Sequence, residues 1–497
     1  MTIETDAASL KSGRALPFTE GASAAAVAVR DRCGECVHLP GEEGYELGRV
    51  PWNVAVDQRP AAVARVRTVE EIASVVRAAA EHGLRVAPEG TGHGVGATAG
   101  RDLADVILLR TDLMREVSID AGRRTARAAA GALWQDVVAP AAEHGLAALH
   151  GSSPDVGVCG YTLGGGIGWY ARKLGLACNA VTAVELVTAG GDVVRATATE
   201  HADLFWAVRG GGGNFGVVTA LEFRLFPIAD AYAGMMMWDL RQAEPVLRRW
   251  IEWAAQTPDE VTTSLRFMRL PPLPELPDFL RGRQLVVIDG AVLSDDASAE
   301  ALLAPLRELA PELDTFARVP QAALIRLHMD PEGPTPAVGA GMLLDAFDDD
   351  AIQAFLAAAG PGVETSLLAA ELRQLGGALA RREPDAGALA ALTGTYAAYF
   401  VGIAASPEMA ARGTVDAAAM VAALGRWDSG AQYLNLADTP VDVRDAYDTA
   451  DWIRLRGLRG TVDPAGRILA NHPIPGRKPV DTFADPDSDA ADAAAAG

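Results

Sequence analysis

Long hydrophobic runs are missing from this chain, and no stretch is apolar over the width of a bilayer. A membrane is therefore not an expected partner. Cysteine is scarce too, four in 497 residues, too few for a disulfide framework. Cys33 and Cys36 form a C-x-x-C pair, but no second pair stands at metal spacing, and no metal centre is expected. Positive charge is in deficit: 43 Lys and Arg face 65 Asp and Glu, a net charge of −22. Such a surface attracts neither nucleic acid nor anionic lipid. The opening residues MTIETDAASLKSGRALPF lack the basic and apolar blocks of a secretion signal, which points to a cytoplasmic location. What is present, 49% hydrophobic and 22% charged residues, suits a globular chain of two or three domains.

Glycine, in contrast, is plentiful and concentrated. The stretch 151–179, GSSPDVGVCGYTLGGGIGWYARKLGLACN, carries Gly164, Gly165, Gly166 and Gly168 after an alternating apolar run that reads as a strand. Arg172 and Lys173 follow one helical turn later. Glycine permits closer backbone approach than any Cβ allows. Successive N–H groups at a helix start then form a site for an anion, typically a phosphate. A second glycine loop, Gly90-Thr91-Gly92-His93-Gly94-Val95-Gly96, follows a predicted strand (62–67), helix (69–82) and strand (85–87). That order is a βαβ unit whose loop faces a ligand. Neither loop is a strand–GxGxxG–helix fingerprint with a later acidic residue, so a nicotinamide cofactor is disfavoured.

Along the rest of the chain, residues 1–20 read as a loose leader and 22–33 as a helix. Further on, 106–109 reads as a strand, 117–119 with 125–129 as a hairpin, and 133–144 as a helix. A second hairpin is expected at 181–188 and 193–196, and four glycines join a short helix to a strand at 217–226. Beyond Pro227 the texture changes. Strands at 235–240, 263–270, 284–292 and 396–403 alternate with helices at 244–255, 297–309, 351–358 and 414–424. This predicts an antiparallel sheet covered by helices. Proline-dense loops at 271–277 and 330–336 belong at the surface or the edge of a cleft.

Four motifs in order resemble the flavin-linked oxidases of the vanillyl-alcohol-oxidase/p-cresol-methylhydroxylase (PCMH) superfamily, in the berberine-bridge-enzyme-like branch. They are TGHG at 91–94, the 151–179 block, FWAVRGGGGNFGVV at 205–218, and Arg454-Leu455 through Val462-Asp463-Pro464 to Asn471. The resemblance implies an α+β fold. A two-part PCMH-type FAD-binding domain (1–227) would be completed by a C-terminal return (431–478). A substrate domain (228–430) with an antiparallel sheet covered by helices would roof the flavin, and a tail (479–497) would be disordered.

The same resemblance implies a covalent bond from the His93 imidazole to the flavin 8α-methyl carbon. It places Gly90, Thr91, Gly92, Gly94, Val95, Ser152, Ser153, Val156, Gly157, Gly160, Tyr161, Gly164, Gly165, Gly168, Val217, Asn435 and Asn471 at the cofactor. Many relatives add a second tether from a G-x-C-P cysteine. Here Ser153 takes that place, and a hydroxyl is a poor nucleophile without activation, so a single tether is expected. Cys159 lies six residues on, aimed by a strand that need not face the flavin. Pro88-Glu89 also departs from the family, where arginine is frequent. Tyr433, at a Y-x-N position, is the first candidate for a catalytic base and needs a lowered pKa for that role. Tyr399 is the second. Glu371 and Arg373 either bind substrate or form a buried pair. The implied partners are a small-molecule substrate (alcohol, sugar or secondary metabolite) and O2. The alternatives are a flavin dehydrogenase or oxidative cyclase, or a non-catalytic flavin-binding protein.

Overall fold

A computed structural model describes residues 22–476 other than Glu275. The expected leader and tail lie outside the described residues. The first layer is a small sheet in which Ala62–Arg65, Val106–Arg110 and Arg85–Glu89 run parallel, with Val37–His38 antiparallel at the edge. Helix Val69–Glu81 makes the crossover expected of a βαβ unit, capped by the Thr68 hydroxyl, which accepts from the Glu71 N–H. Its apolar stripe, Ile72, Val75, Val76 and Ala79, is buried on that sheet, the placement its period of 3.6 requires.

A five-stranded antiparallel sheet follows, in the order Val117–Asp120, Thr125–Ala129, Val217–Arg224, Val181–Val187, Val193–Ala196. Both hairpins expected from the sequence are in it. The third sheet is antiparallel and eight-stranded. Its path runs from Leu313–Asp314 through Asp230–Asp239, Gln284–Val292, Val261–Arg269, Leu367–Gln374 and Tyr396–Ile403 to Ala337–Leu344, and Ala317–Pro320 pairs beside Asp230–Asp239. Helices Ala243–Ala254, Asp296–Arg307, Asp349–Ala359 and Pro407–Leu424 cover one face of it. Trp238, Trp250, Phe267, Phe355 and Phe400 fill the space between. Strand alternation then sends Ser264, Arg266, Glu371, Arg373 and Tyr399 to the opposite face. Strands Ala337–Leu344 and Leu367–Gln374 and helix Thr449–Val462 went unread in the sequence.

The glycine-rich block departs from expectation in three ways. The alternating run before the triple glycine is a helix, Val158–Leu163, with 158, 159, 162 and 163 buried at helical spacing. The glycines therefore close a helix at its C-cap, Gly164, instead of opening one. Gly166 has φ 84°, and a Cβ at Gly168 would stand 2.1 Å from the His150 carbonyl oxygen, so the chain folds back where no side chain fits. Arg172 also serves a different end. Its guanidinium donates to the carbonyls of Leu375, Pro258 and Val261 and to the Thr257 hydroxyl, tying helix Ala171–Leu174 to the third sheet. Lys173 pairs at the surface with Glu260. Replacing Arg172 by alanine strands several buried acceptors at once. Urea unfolding should show a loss of about 3 kcal/mol, and an unchanged midpoint would mean the carbonyls find other donors.

Candidate active site

The strand Arg85–Glu89 leads into loop 90–94, where the half-buried His93 is stacked on Trp52, ring centroids 4.1 Å apart at 19°. Nδ1 of His93 is 2.7 Å from the Thr91 hydroxyl. Nε2 is buried without a hydrogen-bond partner and lies 3.7 Å from a carboxylate oxygen of Asp155. That carboxylate accepts from Trp52 Nε1 at 2.7 Å, from the Gly333 N–H at 2.7 Å and from the Ser153 hydroxyl at 2.9 Å. Burial alone would raise its pKa. The His93 contact, the Gly333 N–H and the Trp52 indole outweigh burial and hold it well below the usual carboxylate range. Asp155 was missed in the sequence, where only its neighbours carried a family pattern.

Loops 90–94 and 152–157 face each other: a Cβ at Gly157 would stand 3.5 Å from the Thr91 methyl. Among the described residues, none of the peptide N–H groups of 91–94 or 155–157 donates to a protein acceptor. All of these residues but the exposed Gly94 are buried or half-buried, and such N–H groups are rarely left so. Their convergence, with the orphaned imidazole nitrogen beside them, suits a nucleotide whose phosphates accept those hydrogen bonds. Glu89, the departure noted above, adds no free negative charge here, because it pairs with Arg110 and accepts from Gln58.

The C-terminal return closes the site. Asn471 donates to the Gly94 carbonyl at 2.9 Å, and Asn435 to the Tyr161 carbonyl at 2.9 Å. Asn435 also touches the Tyr433 oxygen at 3.2 Å, which accepts from the Gly166 N–H at 2.9 Å. Gly164 and Gly165 are packed against Asn435 and Tyr433 where a Cβ would stand, and Gly160 faces open space. The Tyr161 hydroxyl is buried without a partner. Ser152 donates to Asp330 of the proline-rich loop at 2.9 Å. Gly90 lies beside Thr111, Val95 is buried, and Val156 packs on the core of the second sheet. Val217 is placed differently from the other expected residues, its side chain lying wholly in the core between the first two sheets. Cys159 faces core and not loop 90–94, on the helix that replaces the expected strand, and burial pushes its thiol up to about 12.

Two further expectations change. Tyr433 needed a lowered pKa, but burial pushes its phenol well up, against the Gly166 N–H, Asn435 and Arg373. Tyr399 is not free: its hydroxyl donates to Asp438, whose own pKa burial raises. Glu371 and Arg373 do form a pair, at 2.8 Å, within a longer chain of charge that the sequence concealed. On the adjoining strands Arg266 meets Asp289 at 2.5 Å, and Asp289 also holds the Ser264 hydroxyl at 2.5 Å and His328 Nδ1 at 2.8 Å. His328 Nε2 lies 3.7 Å from Glu371, and its ring tilts against Trp169 of the glycine-rich block at 5.7 Å. Arg373 keeps 19% of its side chain exposed, and its charge reaches Tyr161 and Tyr433 across the gap.

This fold and these loops define a class: a nucleotide-binding protein of mixed helices and sheets. Residues 60–197 match the FAD binding domain family. The chain is 38% identical over 206 residues to (R)-6-hydroxynicotine oxidase of Paenarthrobacter nicotinovorans, covering 41% of this chain and 44% of the relative. It is 34% identical over 233 residues to glucooligosaccharide oxidase of Sarocladium strictum, covering 46% of each. The matches thus span somewhat under half the length of these curated relatives. Among solved structures, 6-hydroxy-D-nicotine oxidase from Arthrobacter nicotinovorans superposes with TM-score 0.76 at 25% identity, over 87% of this chain and 95% of that one. The Physcomitrella patens BBE-like 1 protein gives 0.79 at 21% identity, over 92% and 100%. Residues 60–197 thus form an FAD-binding domain, and the chain is similar over part of its length to named oxidases and in fold to the BBE-like protein. No described helix is long and apolar enough to cross a membrane.

The buried charge chain has a pH signature. Burial and Arg266 push the His328 imidazole down, but Asp289, Asp330 and Glu371 outweigh them and lift it from 6.5 to about 9. A raised folded value gives stability that is complete below the unfolded pKa and lost as pH rises through the folded one. Wild type should therefore lose on the order of 3 kcal/mol between pH 6.5 and 9 that a His328→Gln variant does not lose. Parallel urea titrations of the two proteins check this, and identical slopes would mean that the ring is neutral.

Proposed function

We propose that the chain is an FAD-dependent oxidase acting on a small molecule, with the cofactor tethered once, through His93. In this reading residues 1–227 and 431–478 hold the cofactor and 228–430 the substrate. FAD, when bound, accepts a hydride from an alcohol, sugar or secondary-metabolite carbon and returns the electrons to O2, giving hydrogen peroxide. The observation that carries the reading is His93, stacked on Trp52 between two facing loops whose N–H groups donate to no protein acceptor among the described residues. Loops 90–94 and 152–157 bind the diphosphate through those N–H groups. Asn435 and Asn471 keep the return segment over it.

Ser153 stands where many relatives have a second tethering cysteine, and its hydroxyl is engaged by Asp155. The buried Cys159 thiol is held protonated and turned into the core, so neither side chain supplies a second bond. Tyr433 is the residue we assign to holding the substrate hydroxyl at the flavin: burial keeps its phenol protonated, and the Gly166 and Asn435 N–H groups fix its oxygen in place. Tyr399, bonded to Asp438, shapes the roof. The curated relatives named as oxidases support oxygen as the acceptor.

Denatured protein should keep its yellow colour after acid precipitation and gain the mass of one FAD. The His93→Ala variant should release that colour. Tyr433→Phe should retain the flavin and lower the rate of flavin reduction by about 10²-fold or more. Reduced protein that stays colourless in air would reassign the chain to a dehydrogenase or cyclase.

A further inference from the structure

The half-buried carboxylate 3.7 Å from His93 belongs to a residue with no role in the reading above. Asp155 gathers three donors from three separate stretches: the Trp52 indole, the Gly333 N–H and the Ser153 hydroxyl. Its Oδ1 remains 3.7 Å from Nε2 of His93, and nothing else among the described residues hydrogen-bonds that nitrogen. On the other side of the ring the Thr91 hydroxyl reaches Nδ1 at 2.7 Å. The two contacts agree on one tautomer. A carboxylate has only acceptors to offer, so the nitrogen facing it carries the proton. A hydroxyl both donates and accepts, so the Thr91 contact is compatible with an Nδ1 that keeps its lone pair. Trp52, stacked at 4.1 Å, fixes the plane of the ring and is itself held by Asp155.

We propose that Asp155 is the positioning residue for flavin attachment: it keeps the proton of His93 on Nε2 and so leaves Nδ1 as the bonding nitrogen. The inference rests on the tether proposed above. In the attachment step Thr91 swings aside and Nδ1 forms a C–N bond to the methyl carbon at position 8 of the flavin ring. That methyl group loses one proton, and Nε2 releases its own to Asp155. The electron pair left on the ring passes to dioxygen, which takes up both protons and becomes hydrogen peroxide. Asp155 meets the positive charge that develops on the imidazole as the bond forms, the arrangement by which a carboxylate orients and stabilises a working histidine elsewhere.

Two measurements test this. In apoprotein labelled with 15N-histidine, the His93 ring should show its proton on Nε2 in wild type and a mixture of tautomers in Asp155→Asn. In reconstitution with FAD, Asp155→Asn should still bind the flavin and turn yellow. Its covalent fraction, read from the denatured mass, should grow at least tenfold more slowly than in wild type, with partial rescue by Asp155→Glu. Attachment at the wild-type rate in Asp155→Asn, or a wild-type apoprotein with the proton on Nδ1, overturns the role of Asp155 and leaves the tether intact. A wild-type protein that never acquires covalent flavin overturns both.

Discussion

A single carboxylate holds the centre of this molecule together. Asp155 lies in the glycine-rich block, Trp52 in the N-terminal loop and Gly333 in the proline-rich loop before strand Ala337–Leu344, and the first accepts hydrogen bonds from the other two. Its partners come from segments more than a hundred residues apart, so the contact exists only when the layers have assembled. Burial opposes the charge and the donors restore it. Even a half-buried anion is costly to leave partly satisfied, which couples the orientation of His93 to the docking of the proline-rich loop.

The roof repeats that logic with more members. Arg266, Asp289, His328, Glu371 and Arg373 alternate in sign, each beside a partner of the other, on the sheet face turned away from its helices. The helix side of the same sheet is aromatic and aliphatic throughout. Two faces of one sheet thus do different work: one supplies the apolar burial that holds the domain, the other a polar ceiling toward Trp169 and Tyr433. Arg373 is the most exposed member, with 19% of its side chain reached by solvent.

Periodicity carried most of the fold. The strand–helix–strand unit, both hairpins and the four helices over the large sheet sit within a few residues of their expected places, with helix Pro407–Leu424 beginning earlier than its apolar pattern. Reading failed where pattern and context disagree. Residues 158–163 alternate like a strand yet form a helix, because Val158, Cys159, Thr162 and Leu163 bury together at helical spacing. Strand Ala337–Leu344 carries two glycines, Gly339 and Gly341, whose missing side chains admit Asp438, Tyr399 and Leu436. A strand weakened that way has no local signal.

The order of residues by itself determined the glycine loops, the histidine between them and the absence of a cysteine at 153, because each depends on local backbone freedom or on the chemistry of one side chain. Only the tertiary structure decided that Arg172 holds the two lobes together, that Tyr399 is bound to Asp438, and that Asp155 meets His93. The reason is distance along the chain. A charge finds its partner by burial and geometry, and neither is encoded within the span over which a sequence pattern repeats.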